Sequence, residues 1–378
     1  MPTSPALAED LAAQVRDLYE AAEYDLLGLL ARALAADLQS PRWAELKLRA
    51  VGDLLEAVDK VAAALQQDTT GEVHRALTTA YDRGRQAAVA ELGALDIGRE
   101  LAARDVLPNA AAVDRLAMSL AADTRPLYSR ITRSVADVYR RVTSRASAGT
   151  LLGATTRRQA AQSALDQFAA RGISGFVDRS GRGWDMASYA EMAVRSVTAR
   201  AAIDGHTDVL SGVGIGLVII SDVPMECPKC TPWEGKVLSI QGPSGARVQQ
   251  EQHAERGRLL NRWRTVPVDV AGSLIEARAA GLFHCNCRHS ASAYLPGVST
   301  PPEPAPSPNG ATYKDTQQQR YLERQVRAWK RRQAVALDDQ ARARAGASIR
   351  AYQARLREHT ARTGLPRKPV REQIGAAR

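Results

Sequence analysis

All four cysteines of this 378-residue chain lie in two short segments, and that placement constrains the fold more than any other feature. Cys227-Pro228-Lys229-Cys230 forms one segment, and His284-Cys285-Asn286-Cys287-Arg288-His289 forms the other, far downstream. Two donors close in sequence shape half of a site. Two more brought back by folding complete a tetrahedron of sulfur and nitrogen, which zinc accepts in closed structural sites. Cys227 and Cys230 make the first pair. In the second segment His284 and Cys287 have the matching spacing, while Cys285 and His289 stand close enough to replace one of them. The competing readings are a disulfide pair or buried free thiols. Met1 to Leu30 carries acidic residues through its apolar part and lacks a basic start followed by an apolar core, so no secretory leader is expected. That points to a reducing compartment, where zinc is favoured over disulfides. A closed zinc site contributes about 10 to 16 kcal/mol of apparent binding energy to folding, comparable to a whole domain's stability.

The chain is long enough for two or three domains, and its 45% apolar content supports real cores. Its longest apolar run, Val209 to Ile220, is interrupted by glycines and too short to cross a bilayer, so no membrane span is expected. The formal charge of +10 is uneven. From Gly310 onward there are 17 Lys plus Arg against 6 Asp plus Glu, a net +11, which leaves 34 against 35 for the rest. Within this tail Arg320, Arg324, Arg327, Lys330, Arg331 and Arg332 accompany Leu322, Val326 and Trp329 at helical spacing, and Ile349, Tyr352 and Leu356 begin a second helical pattern. One reading is a pair of solvated helices packing an apolar stripe on their own protein. The other is a sequence-independent arm for the phosphates of double-stranded DNA, whose affinity falls steeply with salt.

The periodicity predicts a mainly α protein. An N-terminal helical region covers residues 1–205, with a sub-boundary near 96–113. Val51, Leu54, Leu55, Val58, Val61 and Leu65 share one helical face, and Tyr128 to Val142 and Ala187 to Ala202 are amphipathic. The stretch Gly172 to Gly183 breaks the pattern. A small zinc-stabilised α+β domain follows over residues 206–297. Leu217 to Ile220 reads as a buried strand, Lys236 to Ile240 as a second, Gln241 to Arg264 as a long loop or exposed helix, Leu274 to Ala280 as a helix ended by Gly281, and Arg288 to Leu295 as a last strand. Glycines before Leu217 lack the Lys-Ser/Thr of a phosphate loop and precede the strand, which argues against a nucleotide site. Prolines make 298–310 a semi-rigid spacer before the basic helical tail, 311–378.

The order Ser221-Asp222-Val223, Cys227-Pro228-Lys229-Cys230, Trp233-Glu234-Gly235-Lys236-Val237-Leu238 and then Ala279 through His289 resembles tailed-phage minor capsid proteins. It is most similar to the phage minor capsid protein 2 group, related to Mu-F-like head morphogenesis proteins. Gln319 to Gln325, Trp329-Lys330-Arg331 and Thr363 to Lys368 share the resemblance, which in motif detail runs from about Ile203 to the C-terminus. It implies a structural, non-enzymatic component of the virion interior near the portal vertex, present in the host cytoplasm during assembly, with the portal and other capsid proteins as partners and a part in DNA packaging or delivery. Carried over residue by residue, it marks Cys227, Cys230, His284 and Cys287 as ligands of a structural zinc. Cys285 stands where the family often has proline, and His289 where it often has cysteine.

Two other functions compete. A metal-dependent nuclease needs an open coordination position and a general base, for which His253, Glu226 and Glu234 are the candidates, but there is no His-Glu-x-x-His. A cellular DNA-binding protein would use the tail, yet no base-reading signature is present. Trp233 is expected to shield the metal and Trp329 to sit in the helical stripe.

Overall fold

Helical periodicity in the first half of the chain is realised as long helices: α1 (Glu9–Ala35), α2 (Trp43–Arg49), α3 (Val51–Leu92), α4 (Ala110–Leu151), α5 (Arg157–Arg171) and α6 (Met186–Gly212). The computed structural model describes residues 9–40, 42–93, 110–151, 156–171, 174–177, 183–254, 264–284, 287–301, 303 and 306–374. The stretch expected only to break the helical pattern supplies a two-stranded hairpin of β1 (Ser174–Val177) and β2 (Gly183–Asp185). Helix accounts for 69% of the described residues, and the sheet is small and mixed, so the expected mainly helical class holds. No described helix is long and apolar enough to cross a membrane.

The chain divides into two compact units. The first comprises Met1–Ala13, Val73–Leu120 and Met192–Tyr313; the second comprises Gln14–Glu72, Ala121–Glu191 and Lys314–Arg378.

The first unit holds a five-stranded sheet in the order β5-β6-β4-β3-β7. Its strands are β3 (Leu217–Ile220), β4 (Val237–Ser239), β5 (Arg247–Gln252), β6 (Thr265–Ser273) and β7 (Ala291–Ala293), with the short helix α7 (Leu274–Ala280) after β6. Only the β4–β6 pair is parallel. Every residue of β3 is buried, and its side chains alternate between two apolar clusters. The two-residue period sends Val218 and Ile220 into a core with Leu238, Ile203, Leu210 and Leu92, and sends Leu217 and Ile219 into a second core with Val237, Val268 and Val270. Helices α3 and α6 cover the first face and touch backbone to backbone. A Cβ on Gly84 would overlap the carbonyl oxygen of Ala202, and one on Gly205 would overlap that of Tyr81. Buried His206 on α6 bonds Glu91 on α3 through Nε2 at 2.7 Å, and the other Glu91 oxygen accepts from the Ala293 N–H at 3.0 Å, tying β7 to both helices.

Strand β5 corrects the reading of Gln241 to Arg264 as loop or helix, a segment of which 255–263 lie outside the described residues. Strand β5 alternates Arg247, Gln249 and Glu251 with Val248, Gln250 and Gln252, so it carries almost no apolar signal, and its ladder with β6 defines it. Strand β6 accommodates Pro267 because over Thr265–Asp269 it has β5 as its only described neighbour, leaving one side where no N–H is needed. Helix α7 ends as expected. Ser273 and Glu276 form a reciprocal capping box at its start, and Gly281 closes it at φ 111°.

The second unit is a helical bundle whose buried residues include Tyr19, Leu26, Leu30, Trp43, Val58, Leu65, Ile131 and Tyr139. Polar side chains lock it: Trp43 Nε1 donates to the Leu34 carbonyl at 3.3 Å, Tyr139 donates to the Lys47 carbonyl at 3.1 Å, and the Tyr19 and Tyr128 hydroxyls meet at 2.7 Å. Helices α8 (Tyr313–Ala334) and α9 (Asp339–Thr363) belong to it, burying Leu322, Val326, Ile349 and Leu356. Asp338 caps α9 by accepting from the Ala341 N–H at 2.7 Å. Burial pushes the Glu20 carboxyl on α1 up to about 7, against the opposing pull of Arg16 and Arg327.

Two expectations follow for stability. Gly84→Ala should destabilise by about 1 to 3 kcal/mol through backbone overlap, whereas Gly71→Ala on the same helix, with open space at its Cβ, should gain up to about 1 kcal/mol. Equal effects in urea unfolding would refute the close crossing. Because Glu20 binds its proton more tightly when folded, its contribution declines as pH rises from the ordinary carboxylate range through about 7. Glu20→Gln should therefore match the parent near pH 4 and exceed its stability at pH 8, by at most about 3 kcal/mol. Parallel stability profiles across that window would contradict the burial of this carboxyl.

Candidate metal centre

Each cysteine segment is closed by a backbone bond of the same span. Between β3 and β4 the Cys227 carbonyl accepts from the Cys230 N–H at 2.9 Å and from the Thr231 N–H at 3.2 Å, and a 3-10 turn, Thr231–Trp233, continues the bend. After α7 the Cys287 N–H donates to the His284 carbonyl at 2.8 Å. Gly281 and Phe283, both at positive φ, redirect the chain from the helix into this second turn. Cys227-x-x-Cys230 and His284-x-x-Cys287 thus share donor spacing and closing bond, and both lie at the end of the sheet that β3, β4 and β7 build.

The turns face each other. Cys227 Sγ lies 2.9 Å from His284 Nε2, and Cys230 Sγ lies 3.6 Å from Cys287 Sγ. A third contact places His289 Nδ1 3.1 Å from Cys287 Sγ. Two donor groups result, Cys227 with Cys230 and His284, and Cys230 with Cys287 and His289; within each, the donor atoms lie within 4.8 Å of one another. Cys230 belongs to both. Cys285, the other alternative ligand, lies outside the described residues.

The residue types fit a soft or borderline metal ion. Thiolates and imidazoles suit zinc, and a tetrahedron with Zn–S bonds of about 2.3 Å has an S–S edge of about 3.8 Å, close to the Cys230–Cys287 separation. That separation is far beyond the roughly 2.05 Å of a disulfide bond, and Cys227, Cys230 and Cys287 are free thiols. Cys227, Cys230 and Cys287 sit inside the larger core cluster of the first unit, and Trp233 packs against it.

The protein also prepares the charge of the site. The hydrogen bond between Cys230 and Cys287 works in opposite directions on the two thiols: it raises Cys230, with burial adding to the rise, and brings Cys287 down to about 4, with His289 assisting. Burial opposes a charge on His289, but bonds to Cys287 and Glu234 outweigh it and raise its pKa. Glu234 Oε1 stands 2.5 Å from His289 Nε2 and fixes the ring. Such a carboxylate behind an imidazole is a common support for metal sites. It is a residue that the spacing of cysteines and histidines does not reveal, since it comes from the turn after Trp233.

The other site residues named from sequence fall elsewhere. Glu234, one of the nuclease candidates, is engaged with His289, while His253 and Glu226 are in neither donor group. His253 packs its ring where a Cβ on Gly297 would sit. On α8, four of the six expected phosphate-contacting cations are held within their own chain. Arg327 donates to the Arg371 carbonyl at 2.5 Å and Lys330 to Gln373 at 2.7 Å. Arg331 donates to the Ala169 carbonyl at 2.9 Å and lies 3.6 Å from buried Glu23. Arg332 donates to the Asp166 carbonyl at 3.2 Å and covers the Trp329 ring at 4.1 Å. Arg324 is exposed and Arg320 half-buried.

A curated relative described as a structural protein, from Lactococcus phage LL-H, is 25% identical over 230 residues, which are 58% of this chain and 57% of the relative. The match thus spans little more than half of that relative's length. No solved structure matches significantly. The pattern of the family described as Phage minor capsid protein 2 matches residues 4–361, a stretch that contains both knuckle turns and most of the two C-terminal helices. The chain therefore belongs to the phage minor capsid protein 2 family.

Proposed function

We propose that this chain is a structural component of the head of a tailed bacteriophage, residing in the virion interior near the portal vertex and contacting packaged DNA through its basic C-terminal helices. The family match over residues 4–361 carries this reading. The portal and other capsid proteins are its proposed partners, on the strength of the family's kinship with head morphogenesis proteins. The proposed work of the first unit is static: two knuckles clamp one zinc ion and fix the end of a small sheet. Cys227, Cys230, His284 and Cys287 are the proposed ligands, because they occupy equivalent positions in two segments of the same donor spacing and closing bond. His289, braced by Glu234, then supports the Cys287 sulfur from behind. No turnover is required of any of these groups.

Metal analysis of the isolated chain under reducing conditions should find one zinc per chain, and Cys230→Ser should abolish it, since this sulfur serves both donor groups. His289→Gln should keep the stoichiometry but weaken affinity by about 10- to 100-fold, the usual cost of losing a residue behind a ligand. A Cys230→Ser protein with unchanged zinc content and melting behaviour would falsify the clamp. For location, mass spectrometry of purified particles should detect the chain, and chemical cross-linking should join it to the portal; its absence from particles would defeat the assignment to the virion.

A further inference from the structure

We infer that the outer surface of α9 is a binding surface for duplex phosphate that lies against a DNA groove and reads no base. This rests on the DNA contact proposed above and moves it from α8 to the following helix. The inner line of α9, Ala341, Ala345, Ile349, Leu356 and His359, is buried. On the exposed side stand Arg342, Arg344, Arg350, Arg355 and Arg357, against only Asp339 and Glu358. No hydrogen bond or ion pair engages the side chains of Arg342, Arg344, Arg350 or Arg357 among the described residues, in contrast to the four cations held on α8. Arg355 stacks over Tyr352 at 5.4 Å and leaves its N–H groups available, while Arg362 is paired with Asp315 at 2.9 Å.

The arrangement of these arginines points to the partner. At about 100° per residue, Arg344 and Arg355 fall within about 20° of each other on one flank, and Arg350 and Arg357 are similarly aligned on the other. Between the two rows runs a ridge of exposed Ala343, Ala347, Ala351 and Ala354, which offers no side-chain donor or acceptor. A helix about 10 to 12 Å across with a cationic row on each flank matches the two phosphate walls of a major groove about 12 Å wide. An alanine ridge lets the helix approach while leaving the base edges unread. From Arg344 to Arg357 the rows extend about 20 Å along the axis, over which a duplex presents about a dozen phosphates, so no particular register is required.

The test is duplex binding by the full-length, zinc-loaded chain, using short labelled duplexes of two unrelated sequences and anionic lipid vesicles as a second polyanionic surface. Both duplexes should bind equally, with affinity falling about a hundredfold between about 50 and 200 mM salt if four arginines each neutralise one phosphate. The variant R344Q/R350Q/R355Q/R357Q should lose most of that salt dependence while helicity and zinc content stay unchanged. Glu358→Gln, which removes an acid from the same surface, should tighten binding and does not depend on the first variant folding. If the fourfold variant binds with unaltered affinity and salt slope, the α9 surface is wrong while DNA contact stands. If the parent chain binds neither duplex at low salt, or binds only vesicles, the DNA contact itself is lost and this inference with it.

Discussion

Cys230 is the point on which the first unit closes. Its sulfur belongs to both donor groups, its carbonyl accepts the Trp233 N–H at 2.8 Å, and it is fully buried in the core that also holds Val218, Leu238 and Leu274. A buried polar cluster is costly in a sheet this small unless something compensates it. The protein supplies part of that compensation through Glu234 and His289. A divalent ion would supply the rest by converting thiols into ligated thiolates. The remainder of the unit is arranged around delivering two matching turns to this place: the capping box and Gly281 time the exit from α7, and β3 and β7 bring the turn ends side by side.

The second unit follows a different economy of charge. Net basicity concentrated in the tail invites a polyanion, but the two tail helices use their cations differently. Helix α8 spends Arg327, Lys330, Arg331 and Arg332 on backbone carbonyls, an amide and a buried glutamate of its own chain. Guanidinium groups suit this role because their planar donors satisfy carbonyls at helix ends while the stems lie along apolar surface. Helix α9 buries mostly small residues, which brings its axis close to its neighbours and turns its arginines outward. The same residue type is structural glue on one helix and open surface on the next. Their difference is set by which face each helix presents to the bundle.

Some of this architecture is legible in the chain because it depends on local chemistry. Helical periods at Val51 to Leu65, the continuous apolar run of β3, the Gly281 stop and the Cys-x-x-Cys turn are all consequences of side-chain spacing and backbone permissiveness. Other features are not legible locally. Strand β5 is polar apart from Val248 and is a strand only because β6 pairs with it. Gly84 and Gly205 look like ordinary helix-weakening glycines until α3 and α6 cross at them. Glu234 gains its role only when folding sets it against His289, fifty-five positions away in sequence.

The sequence by itself determined that this is a mainly helical chain with one sulfur-rich site and a cationic end, because periodicity, cysteine placement and charge are properties of the residues in order. Only the tertiary structure decided that the two donor groups share Cys230, that Glu234 braces His289, and which tail arginines are occupied and which are open. These are outcomes of long-range packing: a side chain's partner depends on what distant segment arrives beside it, and spacing along the chain carries no record of that arrival.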